Sequence, residues 1–191
     1  MSDLPIPTAD WPHGRVGIVA IVGRPNVGKS TFLNKALAYR LTAVSNKPQT
    51  TRRHWRGVLS EHGAQIIFVD TPGVHQGVHK LGVAMMQSVR AAVTDADLCL
   101  LIADPTRPPG EEDAQAAAMA AAGKTPVLLV VNKCDAASKQ QIAEAVAFFQ
   151  PLCHPIAVLP ISAMTGKGID ELLTDIRNRL PEGPYFYPED H

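Results

Sequence analysis

An eight-residue loop that fits G-x-x-x-x-G-K-[ST] constrains the fold of this chain more than any other feature. It lies directly after the apolar run 16–22 and directly before a helix-like segment, 31–39. In this strand–loop–helix context, backbone N–H groups and the helix N-terminus bind phosphate groups. Lys29 is predicted to reach the outer two phosphates, and the Ser30 hydroxyl is predicted to ligate Mg²⁺. The nucleotide-contacting residues predicted here are Gly23, Arg24, Pro25, Asn26, Val27, Gly28, Lys29, Ser30 and Thr31.

The composition is that of a globular protein. The chain has 191 residues, of which 46% are hydrophobic and 19% charged, and this predicts one α/β domain with a sizeable core. Lysine plus arginine equals aspartate plus glutamate at 18 each, so the net charge gives no electrostatic case for nucleic-acid binding by the chain as a whole. Three cysteines without ligand spacing predict reduced thiols in a cytosolic protein. No apolar run approaches the length of a membrane-spanning helix.

Strand-like and helix-like segments alternate after the loop. The segments 54–62 and 65–70 flank Gly63-Ala64 and predict a hairpin, which makes one strand antiparallel. Further strands are expected at 98–103, 127–131 and 156–161, and helices at 111–122, 138–150 and 169–180, with Pro151 ending the middle one. The prediction is an α/β P-loop NTPase with a six-stranded, mostly parallel sheet, one antiparallel edge strand and about five helices.

A D-x-x-G sequence follows the apolar strand 66–69. The bare pattern is common by chance, so the prediction of a functional role depends on its position at the end of a strand. Ligands bind at the carboxyl ends of parallel strands, which places this turn beside the phosphate loop. Asp70 is predicted to hold a magnesium-bound water, and the Gly73 N–H to reach the terminal phosphate. The nucleotide-contacting residues predicted here are Asp70, Thr71, Pro72, Gly73 and Val74.

An N-K-x-D sequence at 132–135 ends another apolar strand. The Asp135 carboxylate can accept hydrogen bonds from N1–H and the exocyclic amine of guanine, a pairing that adenine does not offer. The stem of Lys133 can lie over the base, and Asn132 can tie this loop to the phosphate loop. A backbone N–H near Ser162 and Ala163, after the last strand, can donate to guanine O6. The predicted nucleotide is therefore GTP.

The polar stretch 47–52, Lys-Pro-Gln-Thr-Thr-Arg, has no apolar periodicity. A threonine hydroxyl here could complete the magnesium shell when a third phosphate is present. Loss of this third phosphate on hydrolysis would release the loop and produce a switch. Thr51 is preferred over Thr50 because it directly precedes Arg52.

In this order and spacing, the motifs resemble those of the translation-factor-related GTPases, and among these the Era family of bacterial GTPases. The resemblance is carried by Asn26, by the stretches 49–52, 70–74, 132–135 and 160–163, and by the ending Tyr-Pro-Glu-Asp at 187–190. It implies a Ras-like G domain that hydrolyses GTP slowly with Mg²⁺ and acts as a switch in 30S subunit assembly and 16S rRNA maturation.

The same resemblance implies the domain organisation and the partners. We expect a flexible lead-in over 1–14, the GTPase domain over 15–181, and over 182–191 the start of a linker to a KH RNA-binding domain absent from this sequence. The implied partners are GTP and GDP, with 16S rRNA and the 30S subunit reached through that KH domain. The family implies a cytoplasmic monomer associated peripherally with the inner membrane. Two alternatives remain: the G domain of another bacterial ribosome- or tRNA-related family, or a GTP-dependent interaction module with incidental hydrolysis.

Catalysis is the point on which the motifs depart from Ras-like enzymes. Those enzymes carry a water-orienting glutamine where this chain has Val74, which cannot orient water. In potassium-activated relatives an asparagine at the position of Asn26 coordinates K⁺ beside the phosphates, which makes Asn26 a candidate potassium ligand. The predicted catalytic residues are Lys29, Thr51, Gly73 and Asn26. The predicted magnesium ligands are Ser30, Thr51 and, through water, Asp70.

Overall fold

A seven-stranded β-sheet with helices on both faces makes up the described part of the chain, which in this computed structural model covers residues 11–38, 55–71 and 80–187. The strands are β1 (His13–Val22), β2 (Trp55–Glu61), β3 (Ala64–Asp70), β4 (Leu98–Ala103), β5 (Val127–Val131), β6 (Ala157–Pro160) and β7 (Glu182–Pro184). The helices are α1 (Lys29–Ala38), α2 (Lys80–Thr94), α3 (Glu111–Ala120), α4 (Lys139–Cys153) and α5 (Ile169–Arg179).

The sheet topology brings five strand ends to one edge. The strand order is β2-β3-β1-β4-β5-β6. Neighbours pair in parallel from β3 through β6, and β2 pairs antiparallel with β3. The carboxyl ends of β1, β3, β4, β5 and β6 therefore lie along the same edge, where a doubly wound sheet binds its ligands. This confirms the predicted fold class and the predicted placement of the motifs.

Apolar side chains cover both faces of the sheet. Along β4, Leu100 and Ile102 pack in the cluster that includes α1 and α5, whereas Cys99 and Leu101 pack in the cluster that includes α3. Alternation of this kind follows from the two-residue side-chain period of a strand. Because both faces are buried, the central strands are continuous apolar runs, and this explains why they could be predicted from the sequence.

The chain after residue 181 differs from the expected linker at 182–191. Over its described part, β7 pairs antiparallel with β1, with His13 opposite Pro184, and Tyr185 is 2% exposed. The sheet therefore has seven strands rather than the predicted six, and a second antiparallel pair. At the other terminus, β1 already begins at His13, within the expected lead-in.

Gln65, on β3, holds this C-terminal segment. Its Oε1 accepts hydrogen bonds from Phe186 N at 2.8 Å and Tyr187 N at 3.0 Å. Its Nε2 donates to Tyr187 O and to Ser60 Oγ, both at 2.9 Å. A glutamine amide offers two acceptor and two donor positions, so the fully buried side chain is satisfied completely. Residues 186 and 187 are thereby fixed to the sheet.

Two local features differ from the sequence prediction. Helix α4 does not end at Pro151 but continues to Cys153, where His154 closes it in the left-handed conformation at φ 43° with its N–H on Gln150 O. Pro151 removes the N–H that residue 151 would donate to the residue 147 carbonyl, and only two further residues follow it in the helix. The β2–β3 turn is formed by His62 and Gly63, both with positive φ, which matches the twist of a two-residue hairpin.

The three cysteines are free thiols, as predicted. Burial raises the pKa of Cys99 to about 12 and that of Cys153 to about 11, so both remain protonated near neutral pH. Among the described residues, no helix is both long and apolar enough to span a bilayer.

Candidate nucleotide-binding site

The phosphate loop joins β1 to α1 and packs closely against its neighbours. A Cβ on Gly28 would lie 2.2 Å from Asn132 Nδ2, and a Cβ on Gly23 would lie 2.7 Å from Ile102 O. Gly28 also has a φ of +104°, a region that side chains with a Cβ rarely adopt. Asn26 has a φ of 64°, which asparagine tolerates better than most residues. Both glycines are therefore required by close approach.

Lys29 places a buried cation at the centre of this loop. Its Nζ donates to Gly23 O at 3.0 Å and to Arg24 O at 2.9 Å, and the residue is 8% exposed. Burial lowers the pKa of Lys29; the Asp70 carboxylate counters this shift, and the Arg24 charge adds to it. A desolvated ammonium interacts strongly with an arriving anion, because little water screens the pair. The position suits a phosphate group.

Asn132 joins three loops at the carboxyl edge of the sheet. Its Nδ2 donates to Val27 O in the phosphate loop at 2.8 Å, and its Oδ1 accepts from Ala163 N at 2.9 Å. The side chain is buried, with the residue 2% exposed. The predicted tie between the N-K-x-D loop and the phosphate loop is therefore present, and it extends to the loop after β6.

Lys133 makes a second connection between the base-binding loop and the phosphate loop. Its Nζ donates to Asn26 O at 2.8 Å and to Asp104 Oδ2 at 2.7 Å. Its φ of 59° is left-handed, which costs a non-glycine residue about 1–2 kcal/mol. The contacts at the end of the side chain help to hold this conformation. Asp135 is exposed two residues further on, where it can meet a ligand.

The loop after β6 is shaped by its own hydrogen bonds. Ser162 is 1% exposed; its N–H donates to Lys167 O, and its Oγ accepts from Thr165 N at 3.2 Å. The Ala163 N–H is already engaged by Asn132 Oδ1. The N–H groups of Ser162 and Ala163 and the Ser162 hydroxyl are therefore all engaged within the protein. Donation from this loop to guanine O6 stays a prediction.

The start of the D-x-x-G turn lies beside the phosphate loop. Asp70 ends β3 and is 8% exposed. Thr71 donates to Ile21 O both from its N–H, at 3.3 Å, and from its Oγ1, at 2.6 Å. Ser30 and Thr31 are exposed at the beginning of α1. Asp70 and Ser30 supply oxygen donors of the kind that Mg²⁺ prefers, so the chemistry of this pair fits the ion.

Several predicted site residues lie outside the described ranges: Thr51, Pro72, Gly73 and Val74. Their roles stay predictions. Among residues 11–38, 55–71 and 80–187, no group of three or more histidine, cysteine, aspartate or glutamate residues is placed to hold a metal ion. The expected magnesium shell instead combines the hydroxyls of Ser30 and Thr51, the Asp70 carboxylate through water, and the oxygens of the nucleotide.

The side chain of Arg24 does not face the phosphate site. It is 2% exposed, and its Nε donates to Asp113 Oδ1 at 2.8 Å and Oδ2 at 3.0 Å. Only the backbone of Arg24 can therefore approach a phosphate. Asp104 and Asp113 were not among the site residues predicted from the sequence. Asp104 carried a usable signal, since it directly follows the buried strand β4, much as Asp70 ends the buried strand β3.

Three loops that meet at the carboxyl edge of a parallel sheet, with G-x-x-x-x-G-K-S, N-K-x-D and S-A sequences, define a P-loop GTPase domain. The family model described as "50S ribosome-binding GTPase" matches residues 18–133. The chain belongs to this GTPase family.

Similar curated proteins carry the name GTPase Era. That of Geobacter metallireducens is 40% identical over 176 residues, which are 92% of this chain and 59% of the relative. That of Clostridium botulinum strain Langeland is 44% identical over 174 residues, 91% of this chain and again 59% of the relative. The chain thus spans about three fifths of the length of these relatives.

Solved structures give the same neighbours. A variant of Aquifex aeolicus Era bound to GDP and AlF4⁻ aligns with a TM-score of 0.73 and 37% identity, over 93% of this chain and 61% of that one. Era in complex with MgGDPNP and nucleotides 1506–1542 of 16S ribosomal RNA aligns equally well, over 94% of this chain and 61% of that one. The G domain of Methanococcus jannaschii FeoB, at 24% identity and a TM-score of 0.62 over 86% of this chain and 97% of that one, supports the fold alone.

Proposed function

We propose that this chain is the G domain of an Era-type GTPase, which binds GTP with Mg²⁺, hydrolyses it slowly and switches shape between the GTP and GDP states. The observation that carries this proposal is the Asn132 junction. One buried amide contacts Val27 O and Ala163 N, so the phosphate-binding and base-binding loops are held at one fixed separation. A site of this construction recognises a nucleotide by both ends at once.

Phosphate binding rests on Lys29 and on the N-terminus of α1. The ammonium already donates to two loop carbonyls and has a third proton available for an outer phosphate oxygen. The first N–H groups of α1 add positive partial charge at the same place. Ser30 and, through water, Asp70 would hold Mg²⁺, with Thr51 joining them in the GTP state. When bound, the ion neutralises charge on the outer phosphates.

Guanine selection rests on Asp135. Its exposed carboxylate would accept from N1–H and from the exocyclic amine of guanine. Adenine has an unprotonated N1 and no amine at C2, so both acceptor positions of the carboxylate would lack donors. A site built to hydrogen-bond a group rejects analogues that lack it strongly, because its polar atoms are then left unpaired.

Hydrolysis is expected to be slow without assistance. Val74 occupies the position at which a glutamine would orient water, and it has no hydrogen-bonding group. Asn26 is exposed on the phosphate loop, and we propose it as a ligand for K⁺ beside the phosphates. Turnover in potassium should then exceed turnover in sodium, and Asn26→Ala should remove the difference.

The biological role is proposed by similarity to Era. A relative 37% identical to this chain was solved with nucleotides of 16S ribosomal RNA, whereas the family description names the 50S subunit. Because the individual relatives are Era proteins, we favour a switch in 30S assembly and 16S rRNA maturation, with RNA contacts in a KH domain outside the matched region. The corresponding setting is a cytoplasmic monomer with peripheral attachment to the inner membrane.

Nucleotide titration with an Asp135→Asn variant tests the proposal. Wild type should bind fluorescent (mant-labelled) GDP and GTP and discriminate against adenine nucleotides. Asp135→Asn should lose affinity for GTP and gain affinity for xanthosine triphosphate, whose C2 carbonyl accepts from the new amide. Asp170→Asn, the same change at an exposed position on α5, should leave both affinities unaltered. Unchanged GTP affinity in Asp135→Asn would contradict the guanine assignment.

Single-turnover measurements test the enzymatic half of the proposal. Wild type should convert bound GTP to GDP and phosphate faster than buffer does, and Lys29→Ala should lose phosphate affinity and turnover together. Tight GTP binding with hydrolysis no faster than in buffer would instead favour an interaction module whose GTP-bound shape recruits a partner.

A further inference from the structure

Four charged side chains form a network behind the nucleotide site, of which three are buried and the fourth is partly exposed: Arg24, Asp104, Asp113 and Lys133. Arg24 Nε lies 2.8 Å from Asp113 Oδ1, and Arg24 Nη2 lies 3.6 Å from Asp104 Oδ2. Lys133 Nζ contacts the same Asp104 oxygen at 2.7 Å. Two positive and two negative charges balance, so the buried carboxylates and the buried guanidinium are all paired. The network joins the phosphate loop, the end of β4, the start of α3 and the base-binding loop.

Asp104 is oriented within this network from both of its oxygens. Its Oδ1 accepts from Thr106 N at 2.9 Å and from Thr106 Oγ1 at 2.6 Å. This leaves Oδ2 directed at Lys133 and Arg24. Burial raises the pKa of Asp104, but the hydrogen bonds from Lys133 and Thr106 outweigh this effect, and the pKa lies below its ordinary value. The carboxylate is therefore both ionised and fixed in direction.

Lys133 is held at the far end of its side chain. Asp104 Oδ2 and Asn26 O accept from its Nζ at 2.7 and 2.8 Å, while the side chain as a whole is 37% exposed. The ammonium is thus anchored, and the partly exposed side chain runs beside the site. The stem spans the gap between the base-binding loop and the phosphate loop.

We propose that Asp104 is a positioning residue for guanine-nucleotide binding: it fixes the Lys133 ammonium so that the lysine stem forms the surface on which the base lies. This inference rests on the proposed function and adds a residue to it. Asp104 acts through Lys133 rather than through the nucleotide. A role confined to fold stability would lower the melting temperature without a specific effect on the rate at which bound nucleotide leaves.

The experiment compares release of mant-GDP from wild type, Asp104→Asn and Glu111→Gln. The asparagine keeps the shape of Asp104, and its amide oxygen can still accept from Thr106. Its N–H groups then face the Lys133 ammonium, so an attractive contact becomes repulsive. We expect release of mant-GDP to accelerate about tenfold or more, the range for loss of a charge-assisted hydrogen bond. Glu111→Gln removes the same charge at an exposed position on α3 and should change the rate less than about twofold, as surface substitutions do.

A kinetic split and a double-mutant cycle separate positioning from general damage. Asp104→Asn should raise KM for GTP while leaving single-turnover hydrolysis at saturating GTP near the wild-type rate. Combining Asp104→Asn with Lys133→Met should release mant-GDP no faster than Lys133→Met alone, because the two residues act in series. Additive effects of the two substitutions would overturn the proposal.

Thr106→Val supplies a milder variant should Asp104→Asn fail to fold. It removes the hydroxyl that donates to Oδ1 at 2.6 Å and leaves the charge in place, so release should accelerate by a smaller factor, about two- to fivefold. If wild type binds mant-GDP while the folded variants behave like Glu111→Gln, the positioning role is refuted and the proposed function stands. If wild type itself fails to bind mant-GDP, the proposed function fails and the inference that rests on it falls too.

Discussion

Asn132→Ala should disable the site by disconnecting its loops. The Asn132 amide, 2% exposed, serves a carbonyl of one loop at 2.8 Å and an N–H of another at 2.9 Å. Truncation leaves Val27 O and Ala163 N without this partner, and each unmade buried hydrogen bond costs about 1–3 kcal/mol. The total is about 2–6 kcal/mol. For a domain of this size the expected fall in melting temperature is about 5–20 °C.

The same substitution should weaken nucleotide binding, because the base-binding loop loses its fixed distance from the phosphate loop. We expect the Kd for mant-GDP to rise at least about tenfold, which corresponds to a loss of about 1.4 kcal/mol in binding free energy. Thermal unfolding with and without GDP and a fluorescence titration measure the two effects separately. Asn178→Ala, the same change at an exposed position on α5, is the matched control. The reasoning would be refuted if Asn132→Ala had the same melting temperature as wild type and bound mant-GDP with the same Kd.

Three further predictions concern other parts of the chain. Gly28→Ala should abolish mant-GDP binding, because the new Cβ would lie 2.2 Å from Asn132 Nδ2 at a φ of +104°. Gly123→Ala should bind mant-GDP normally, because its new Cβ would lie 3.9 Å from the nearest atom, Thr125 N. Similar affinities for the two variants would contradict the steric argument. Gln65→Leu should expose the Phe186–Tyr187 bond to chymotrypsin, since the backbone of both residues loses its partner; cleavage as slow as in wild type would show that the amide is dispensable. Since folding lowers the pKa of Asp104, its stabilisation should be present above about pH 4 and be lost as the pH falls through the lowered value; urea unfolding of wild type and Asp104→Asn should then differ at pH 7 and converge in acid.

The site was predictable from sequence wherever a short motif follows a buried strand. The runs before Gly23, Asp70 and Asn132 are apolar because both faces of the sheet are covered, and parallel strands bring their carboxyl ends together. Three patterns far apart in the chain could therefore be assigned to one edge of the sheet. The chemistry followed because each motif uses few residue types at fixed spacing.

The features that escaped prediction depend on long-range partners. Arg24 and Asp113 are 89 residues apart, and no local pattern shows that the arginine points away from the phosphate site. The strand Glu182–Pro184 has no apolar alternation; it exists because β1 offers it an edge with which to pair. The motif pattern predicted that Arg24 contacts the nucleotide, whereas in the structure its side chain pairs with Asp113.

The anchoring of residues 186 and 187 by Gln65 has a mechanical consequence. Gln65 and Asp70 lie on the same strand, five residues or about 17 Å apart, so one end of β3 lies beside the phosphate loop while the other end holds residues 186 and 187. Any segment attached beyond Tyr187 would therefore start from a fixed point on the sheet, because Gln65 holds the backbone of Phe186 and Tyr187.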